Sequence, residues 1–377
     1  MSAKRRIYLD GNSLGPPQAG AAEAMARAMA EWDRELIGGW NDLGWWDLPL
    51  AVGEQIAPLI GAAPGQTVVA DSTTVSWFKA VGAALRLRPD RPRIVTQTGG
   101  FPTDRHVLDA LGVEVVGVGP DELADALDER TAALAVTHVD YRSGRRLDMS
   151  ALTARAHAVG GLAVWDLCHS VGAMDLHVDR DGVDLAVGCT YKYLNGGPGS
   201  PAFIYVAARH LDSIEHPLPG WNGHADPFSM SEVHVPAPGI RRMLSGTAPV
   251  LALRALEHAL LAFDGVDMAV LRARSLGLTD HLITGAEALG LEAVVPREHD
   301  QRGSQVCLRF DHAWELTQAL IEVGVVGDFR PPDLVRLGLP PLYLTTDDVD
   351  EALSRLKTVL ETESWRPWLT VERATVT

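Results

Sequence analysis

The chain has 377 residues, of which 46% are hydrophobic and 22% charged, and its formal net charge at pH 7 is −16. A length above roughly 300 residues predicts two structural lobes, because single hydrophobic cores stop growing near that size. The negative charge argues against nucleic acids and anionic membranes as partners, and no membrane-length apolar run or apolar signal segment is visible, so we expect a cytoplasmic protein.

The N-terminal part begins irregularly and then predicts a helix. Residues 19–37 are rich in strong helix formers, and a glycine pair ends the run. Three tryptophans follow closely, Trp40, Trp45 and Trp46. Aromatic side chains favour both core packing and ligand contact, so the role of this cluster stays open at this point.

From about residue 67, short β-branched runs alternate with helical stretches. This alternation is typical of a parallel sheet that is covered by helices on both faces. The predicted strands are Thr67–Ala70, Arg93–Thr96, Glu114–Val118, Ala132–Thr137, Leu162–Trp165, Leu185–Cys189 and Ala202–Val206. The predicted helices between them are 74–86, 104–111, 121–129 and 150–159. Ligands of such sheets lie at the carboxyl ends of the strands, so candidate site residues should follow the strands directly.

The last part of the chain predicts a smaller lobe over about 265–365. A loop-rich stretch (209–248) and a long helix (249–263) lead to it. Its predicted elements are the strand Gln305–Arg309, the helix Ala313–Glu322, a proline-rich crossing at 330–341 and the helix Asp347–Leu360.

Lysine is scarce, which limits the candidates for any chemistry that needs an amine. The four lysines are Lys4, Lys79, Lys192 and Lys357. Lys192 lies just after a predicted strand, between two tyrosines and ahead of the glycine-rich loop 196–199. Burial in such a setting would lower the pKa of the amine and make it nucleophilic, and the glycines would let the backbone approach a bulky ligand. The other lysines lie in the N-terminus or on predicted helices, which do not suggest covalent chemistry.

Asp166 ends an apolar strand about twenty-five residues before Lys192, and His169 follows it closely. A strand-end Asp and a strand-end Lys are what a pyridoxal cofactor requires, since the carboxylate keeps the pyridine nitrogen protonated and the amine forms a Schiff base. Alternatively, Asp166 caps a helix that begins near His169. The stretch 71–74, with a Ser and two Thr before a predicted helix, would hold a phosphate or simply serve as an N-cap.

The three cysteines, Cys168, Cys189 and Cys307, are too few and too far apart for a zinc site or a disulfide framework. We therefore expect buried, reduced thiols and no bound metal.

Four stretches of the chain resemble kynureninases, and the resemblance extends from Tyr8 to about Asp348. The third stretch, which joins the strand-end Asp to the Lys loop, is the most specific. The four are Tyr8–Pro16, Gly100–Asp104, Asp166–Ala173 continued through Tyr191–Gly199, and Gly239–Thr247.

The resemblance implies an α/β fold of the fold-type I pyridoxal-phosphate-dependent transferases. This fold has a large domain (51–263) with a mostly parallel seven-stranded sheet and a small α+β C-terminal domain (264–377). The N-terminal segment (1–50) would contribute to the small domain and to the interface of a homodimer with shared active sites.

The same resemblance assigns roles to individual residues. Lys192 would be the Schiff-base lysine, Asp166 the partner of the pyridinium nitrogen, Phe101 the ring that stacks on the cofactor, and Arg336 the group that binds the substrate α-carboxylate. Further cofactor contacts would be Thr73, Thr74, Asp104, Thr137, His169, Tyr191, Trp221 and Thr247, with Trp221 and Thr247 reaching the cofactor of the neighbouring subunit. From the residues alone, Arg336 could equally form an ordinary surface ion pair. Tyr191 is our candidate for a proton relay, a role that requires a neighbour to lower its pKa from about 10.

The implied reaction is hydrolysis of the Cβ–Cγ bond of L-kynurenine, 3-hydroxykynurenine or another ring-substituted analogue to an anthranilate and L-alanine, in tryptophan catabolism or a derived biosynthetic pathway. Ser76 and Asn222 depart from the family pattern and leave the ring substituents of the substrate open. One alternative is another enzyme on the same fold, either an aminotransferase or a cysteine desulfurase, although a desulfurase needs a mobile loop cysteine. The other is a catalytically silent pyridoxal-binding protein.

Overall fold

The computed structural model describes residues 5–373, so Lys4 lies outside the described part. The strands are β1 (Ile7–Tyr8), β2 (Thr67–Val69), β3 (Arg93–Gln97), β4 (Glu114–Val118), β5 (Thr131–Thr137), β6 (Leu162–Asp166), β7 (Leu185–Gly188), β8 (Phe203–Val206), β9 (Glu292–Ala293), β10 (Gln305–Arg309), β11 (Val325–Val326), β12 (Asp328–Arg330) and β13 (Leu334–Gly338). The helices are α1 (Ala21–Glu35), α2 (Gly39–Asp42), α3 (Leu48–Ile56), α4 (Thr73–Leu87), α5 (Pro102–Ala110), α6 (Leu123–Ala126), α7 (Met149–Ala158), α8 (Val250–Leu260), α9 (Met268–Ala288), α10 (Ala313–Glu322) and α11 (Thr346–Glu361).

Seven strands form the central sheet of the large lobe, in the order β2-β8-β7-β6-β5-β3-β4. The pairs from β7 to β4 are parallel, and β8 runs antiparallel to both of its neighbours. Every residue of β5, β6 and β7 is buried, which explains why these strands read as continuous apolar runs in the sequence. The predicted mostly parallel seven-stranded sheet is confirmed.

The small lobe is built on an antiparallel sheet with the strand order β12-β13-β10-β9. Its core also includes Ile7 and Leu9 from the N-terminal segment, and β1 pairs in parallel with β11. The prediction of a proline-rich crossing at 330–341 is wrong at its centre, where β13 runs through the sheet. The prolines flank this strand and leave the ladder hydrogen bonds of its interior intact.

Two helix predictions also needed correction. The predicted helix 121–129 is reduced to the single turn α6. The helix that Asp166 might have capped is absent, since turns follow β6 and the Asp166 carboxylate accepts the amide N–H of Cys168 at 2.8 Å. This carboxylate is therefore fixed by a local turn at the end of its strand.

Within residues 5–373, no helix combines the length and the apolarity that a membrane crossing requires. The same residues contain no group of three or more His, Cys, Asp or Glu side chains placed to hold a metal ion. The three cysteines are free and buried, as the sequence predicted.

Candidate active site

A cavity of about 320 Å³ lies where the carboxyl ends of β5 and β6 face the small lobe. It collects all the predicted site residues except Trp221 and Thr247. Its lining consists of Asn12, Ser13, Thr73, Thr74, Phe101, Thr103, Asp104, Thr137, Tyr141, Asp166, Cys168, His169, Tyr191, Lys192, Arg330 and Arg336.

The Lys192 amine is the nucleophile that this cavity offers. Its Nζ lies 2.9 Å from Nε2 of His169, which is almost completely buried. Burial and the neighbouring Lys192 charge hold the pKa of His169 well below its ordinary value, so the imidazole is neutral near pH 7. If Nε2 accepts a hydrogen bond from Lys192, then Nδ1 carries the ring proton. Nδ1 is buried and has the Gln305 side chain nearby, but it makes no hydrogen bond of good geometry to the described residues, so a polar ligand could engage it.

Two carboxyl groups share one hydroxyl at the inner wall of the cavity. Thr137 Oγ1 lies 3.2 Å from Oδ2 of Asp104 and 3.5 Å from Oδ2 of Asp166. Burial, and then the charge of Asp166, raises the pKa of Asp104 to about 8. At pH 7 Asp104 is therefore mainly protonated, which leaves Asp166 as the carboxylate that can partner a cationic ring nitrogen.

The N-terminus of α4 faces the same cavity. Ser72 caps this fifteen-residue helix by accepting the N–H of Val75, and the hydroxyls of Thr73 and Thr74 line the cavity. Free amide groups and the positive end of the helix dipole attract an anion such as a phosphate. The N-cap and the phosphate-binding interpretations of this stretch are therefore compatible.

Arg336 approaches from the small lobe on β13. Its side chain is only 2% exposed and is paired with Asp328, so the alternative of a surface ion pair is wrong. It also donates to Ser13 Oγ at 2.6 Å and to the backbone carbonyl of Tyr141 at 2.9 Å. The guanidinium thus joins the N-terminal segment, the large lobe and the small lobe at one point.

Several lining residues were not predicted from the sequence. Asn12 and Ser13 belong to the first kynureninase-like stretch, but no local pattern gave them a role. The chain passes very close to the lysine loop here, since a Cβ on Gly15 would lie 2.2 Å from the carbonyl oxygen of Lys192. Tyr141 follows β5 after three residues and meets the edge of Phe101 at a ring distance of 5.5 Å. The rule that ligands lie beyond strand ends could have identified it.

Trp221 and Thr247 lie on the surface outside the cavity. Trp221 is 40% exposed and packs against Trp46, with ring centroids 5.5 Å apart. One member of the tryptophan cluster, whose role the sequence did not settle, therefore lies beside a predicted site residue. Trp45, in contrast, is buried. Asn222 is also buried and donates to the carbonyl of Gly246, next to Thr247.

The structure also shows the surroundings of Tyr191 and Ser76, two further residues that the sequence analysis named. Tyr191 lines the cavity, but burial raises its pKa instead of lowering it. Its hydroxyl therefore stays protonated near pH 7, and its surroundings do not provide the lowered pKa that the predicted proton relay requires. Ser76 is buried behind the cavity, where its hydroxyl donates to the carbonyl of Ala70 at 3.2 Å.

Comparison with known proteins gives consistent results. Residues 271–356 match the family model of the kynureninase C-terminal domain. A kynureninase of Deinococcus radiodurans is 47% identical over 370 residues, which cover 94% of this chain and 90% of that protein. A kynureninase of Burkholderia pseudomallei is 43% identical over 387 residues, which cover 98% and 93%. Among solved structures, a cysteine desulfurase of Thermococcus onnurineus superposes with a TM-score of 0.80 over 95% of each chain at 17% identity. The cystine C–S lyase C-DES also gives 0.80, at 17% identity over 93% of this chain and 97% of its own. At these identities the solved structures establish the fold alone.

Proposed function

The chain belongs to the kynureninase family, and on that basis we propose that it hydrolyses the Cβ–Cγ bond of L-kynurenine or a ring-substituted analogue. The products would be an anthranilate and L-alanine. The cofactor of the reaction would be pyridoxal phosphate. The single observation that carries the proposal is the cavity in which the Lys192 amine, the neutral imidazole of His169 and the Asp166 carboxylate meet. The reaction would belong to tryptophan catabolism or to a biosynthetic pathway derived from it. The enzyme would work in the cytoplasm.

The residues present fit pyridoxal phosphate. Lys192 would hold it covalently, Asp166 would pair with its ring nitrogen, and the N-terminus of α4 would bind its phosphate. The unpartnered Nδ1 of His169 is a buried donor that a polar ligand would satisfy. Phe101, half exposed at the cavity mouth, can cover an aromatic ring. When bound, the cofactor supplies an electron sink that acidifies the α-proton of the substrate.

The protein supplies proton transfer around that sink. The Lys192 amine, which would hold the cofactor, would also take the α-proton of the substrate and return it at another atom. Its bond to a neutral His169 directs the nitrogen without competing for a proton. Tyr191, whose raised pKa keeps its hydroxyl protonated, would donate a hydrogen bond to the carbonyl oxygen of the substrate. The buried Asp166 side chain would pair with the ring nitrogen of the cofactor and stabilise its protonated form.

We also propose that the protein works as a homodimer with shared sites. The exposure of Trp221 and Thr247 outside their own cavity supports this, because both would then contact the partner's cofactor. An apolar groove of about 620 Å³ on the same chain adds support, since large exposed apolar surfaces mark interfaces. The groove is lined by Trp32, Leu36, Ile37, Trp40, Trp45, Ala248, Pro249, Val250, Leu251 and Ala252.

A cysteine desulfurase is the second candidate, because such an enzyme shares this fold. That chemistry needs an accessible cysteine to accept sulfur. All three cysteines here are at most 5% exposed, and the one that lines the cavity, Cys168, lies in the turn directly after β6 and not on an open loop at the cavity mouth. We therefore favour C–C bond hydrolysis.

Substitution of Lys192 by Ala tests the proposal. The variant should lose both the visible absorbance of the covalently bound cofactor and the turnover of L-kynurenine, followed by anthranilate fluorescence. Lys357→Ala is the matched control, since this lysine is 58% exposed on α11, and it should leave both signals unchanged. Turnover by the Lys192 variant would refute the assignment. A wild-type protein that binds the cofactor but releases no anthranilate from kynurenine or 3-hydroxykynurenine would favour the catalytically silent alternative.

A further inference from the structure

A second arginine lines the active-site cavity beside Arg336. Arg330 ends β12, the edge strand next to β13, and Asp328 on the same strand lies directly opposite Arg336 in the register. Both guanidinium groups donate to Oδ2 of Asp328 at 2.5 Å. Two cations therefore share one counter-ion at the wall of the cavity.

Most of the donors of Arg336 are already engaged. Its Nε and Nη2 bond the two oxygens of Asp328, Nη2 also donates to Ser13 Oγ, and Nη1 donates to the carbonyl of Tyr141. A guanidinium has five N–H bonds, so one remains free. Arg336 alone can therefore grip a carboxylate with two parallel bonds only if it gives up a bond to the protein.

Arg330 has more donors available. Its Nη2 bonds Asp328 and lies 3.5 Å from Ser13 Oγ. Its Nε is buried without a partner, and its Nη1 has none among the described residues. The side chain is 31% exposed and lies over the ring of Tyr141, with Cζ 6.0 Å from the centroid, at the side of the cavity mouth. A buried N–H without a partner is costly, so this guanidinium is suited to an incoming acceptor.

The charges around the two arginines favour an anion. Asp328 neutralises one of the two positive charges. The remaining nearby carboxyl is Asp10, whose pKa is raised to about 7 by burial and by Asp328. Asp10 is therefore only partly ionised near pH 7, so the cluster of two arginines, Asp328 and Asp10 carries a net positive charge. A substrate carboxylate would complete the balance.

We propose that Arg330 binds the α-carboxylate of the substrate together with Arg336, with Asp328 as their shared counter-ion. This inference rests on the proposed function, which supplies an amino-acid substrate. Arg336 contributes its free N–H from a fixed position, and Arg330 contributes an N–H of Nη1, since its Nη2 is engaged by Asp328 and its Nε is buried. The pair explains how a carboxylate can be gripped at two points although Arg336 is almost fully engaged.

The test compares two ligands that differ only in the carboxylate, L-kynurenine and its decarboxylated amine. Dissociation constants are measured with the holoenzyme from the change in cofactor absorbance on ligand addition. Loss of one charge-assisted contact in Arg330→Gln should weaken L-kynurenine binding by roughly 10- to 100-fold and amine binding by no more than about twofold. Arg366→Gln, at an exposed arginine, should change neither constant.

Arg330→Lys provides a second test if the Arg330→Gln variant does not fold. It keeps the charge but loses the planar fork, so it should fall between wild type and Arg330→Gln for L-kynurenine. Equal weakening of both ligands, or no weakening of either, would overturn the proposal. Anthranilate release by the wild-type enzyme is measured separately. If no anthranilate is released, the proposed function is refuted, but the dissociation constants still test whether Arg330 binds the carboxylate.

Discussion

A buried ion pair behind the cofactor cavity allows a sharp test of the electrostatics. Lys79 is fully buried on α4 and donates to Asp71 and to the carbonyl of Met243 at 2.9 Å. Asp71, in contrast, is 27% exposed and adopts a left-handed backbone conformation with φ 55°. The two partners should therefore differ in what their loss costs. We predict that Asp71→Asn destabilises the protein more than Lys79→Met does.

The asymmetry follows from which charge is left without water. Asp71→Asn keeps the left-handed preference of the backbone but leaves a buried ammonium without its counter-ion, at a cost of about 3–5 kcal/mol. Lys79→Met leaves a carboxylate that solvent can reach, so the cost should be about 1–2 kcal/mol, mainly from lost hydrogen bonds. The double variant should recover much of the loss, because it buries no charge.

The assay is urea unfolding of the cofactor-free protein, since bound cofactor would add its own stabilisation. Burial lowers the pKa of Lys79 and Asp71 raises it, so Asp71→Asn should lower it further. The unfolded chain then binds more protons than the folded one, and the stability of this variant should rise with pH toward 10.5. A larger loss in Lys79→Met, or a cost of Asp71→Asn that does not change with pH, would refute the reasoning.

Three further predictions concern the site itself. Gly15→Ala should displace the Lys192 backbone, because the new Cβ would lie 2.2 Å from its carbonyl oxygen, and we expect at least tenfold weaker cofactor binding by absorbance titration. In the cofactor-free protein, the pKa of Asp104 is 3.8 in the unfolded chain and about 8 in the folded state. Between these two pH values the folded protein keeps a proton that the unfolded chain has lost. The free energy of unfolding should therefore fall as the pH rises through that range. Asp104→Asn should remove that slope, and an unchanged slope in this variant would contradict the raised pKa of Asp104. Coexpressed Lys192→Ala and Trp221→Ala subunits should form hybrid dimers with one intact site, and about a quarter of wild-type turnover should return; no recovery would contradict the shared site.

The large lobe could be predicted from sequence because its strands are buried on both faces. Strand β5 is buried at every position, so its residues 131–137 form an unbroken apolar or β-branched run that only a few conformations can accommodate. The same property places Asp166 and Lys192, since a polar residue directly after such a run must lie at the carboxyl edge of the sheet. Local sequence therefore sufficed for Asp166 and Lys192, whereas the expected roles of Phe101 and Thr137 came from the family resemblance.

The small lobe was harder to predict from sequence because its strands are short and partly polar. Strand β13 covers five residues and carries Arg336 in its middle, while prolines at 331, 332, 340 and 341 flank it. Prolines beside a strand and prolines that interrupt a strand give nearly the same local pattern, so the stretch was mistaken for a crossing. Two of the partners of Arg336 are also distant in sequence, since Tyr141 is 195 and Ser13 323 positions away. No local pattern specifies such a contact.

This difference in sequence distance has a functional consequence. The groups that would hold the cofactor come from the large lobe, whereas the proposed carboxylate site joins Ser13, the Tyr141 carbonyl and the arginines of β12 and β13. A substrate carboxylate that engages Arg330 and Arg336 would therefore add bonds between the two lobes, while the cofactor would not.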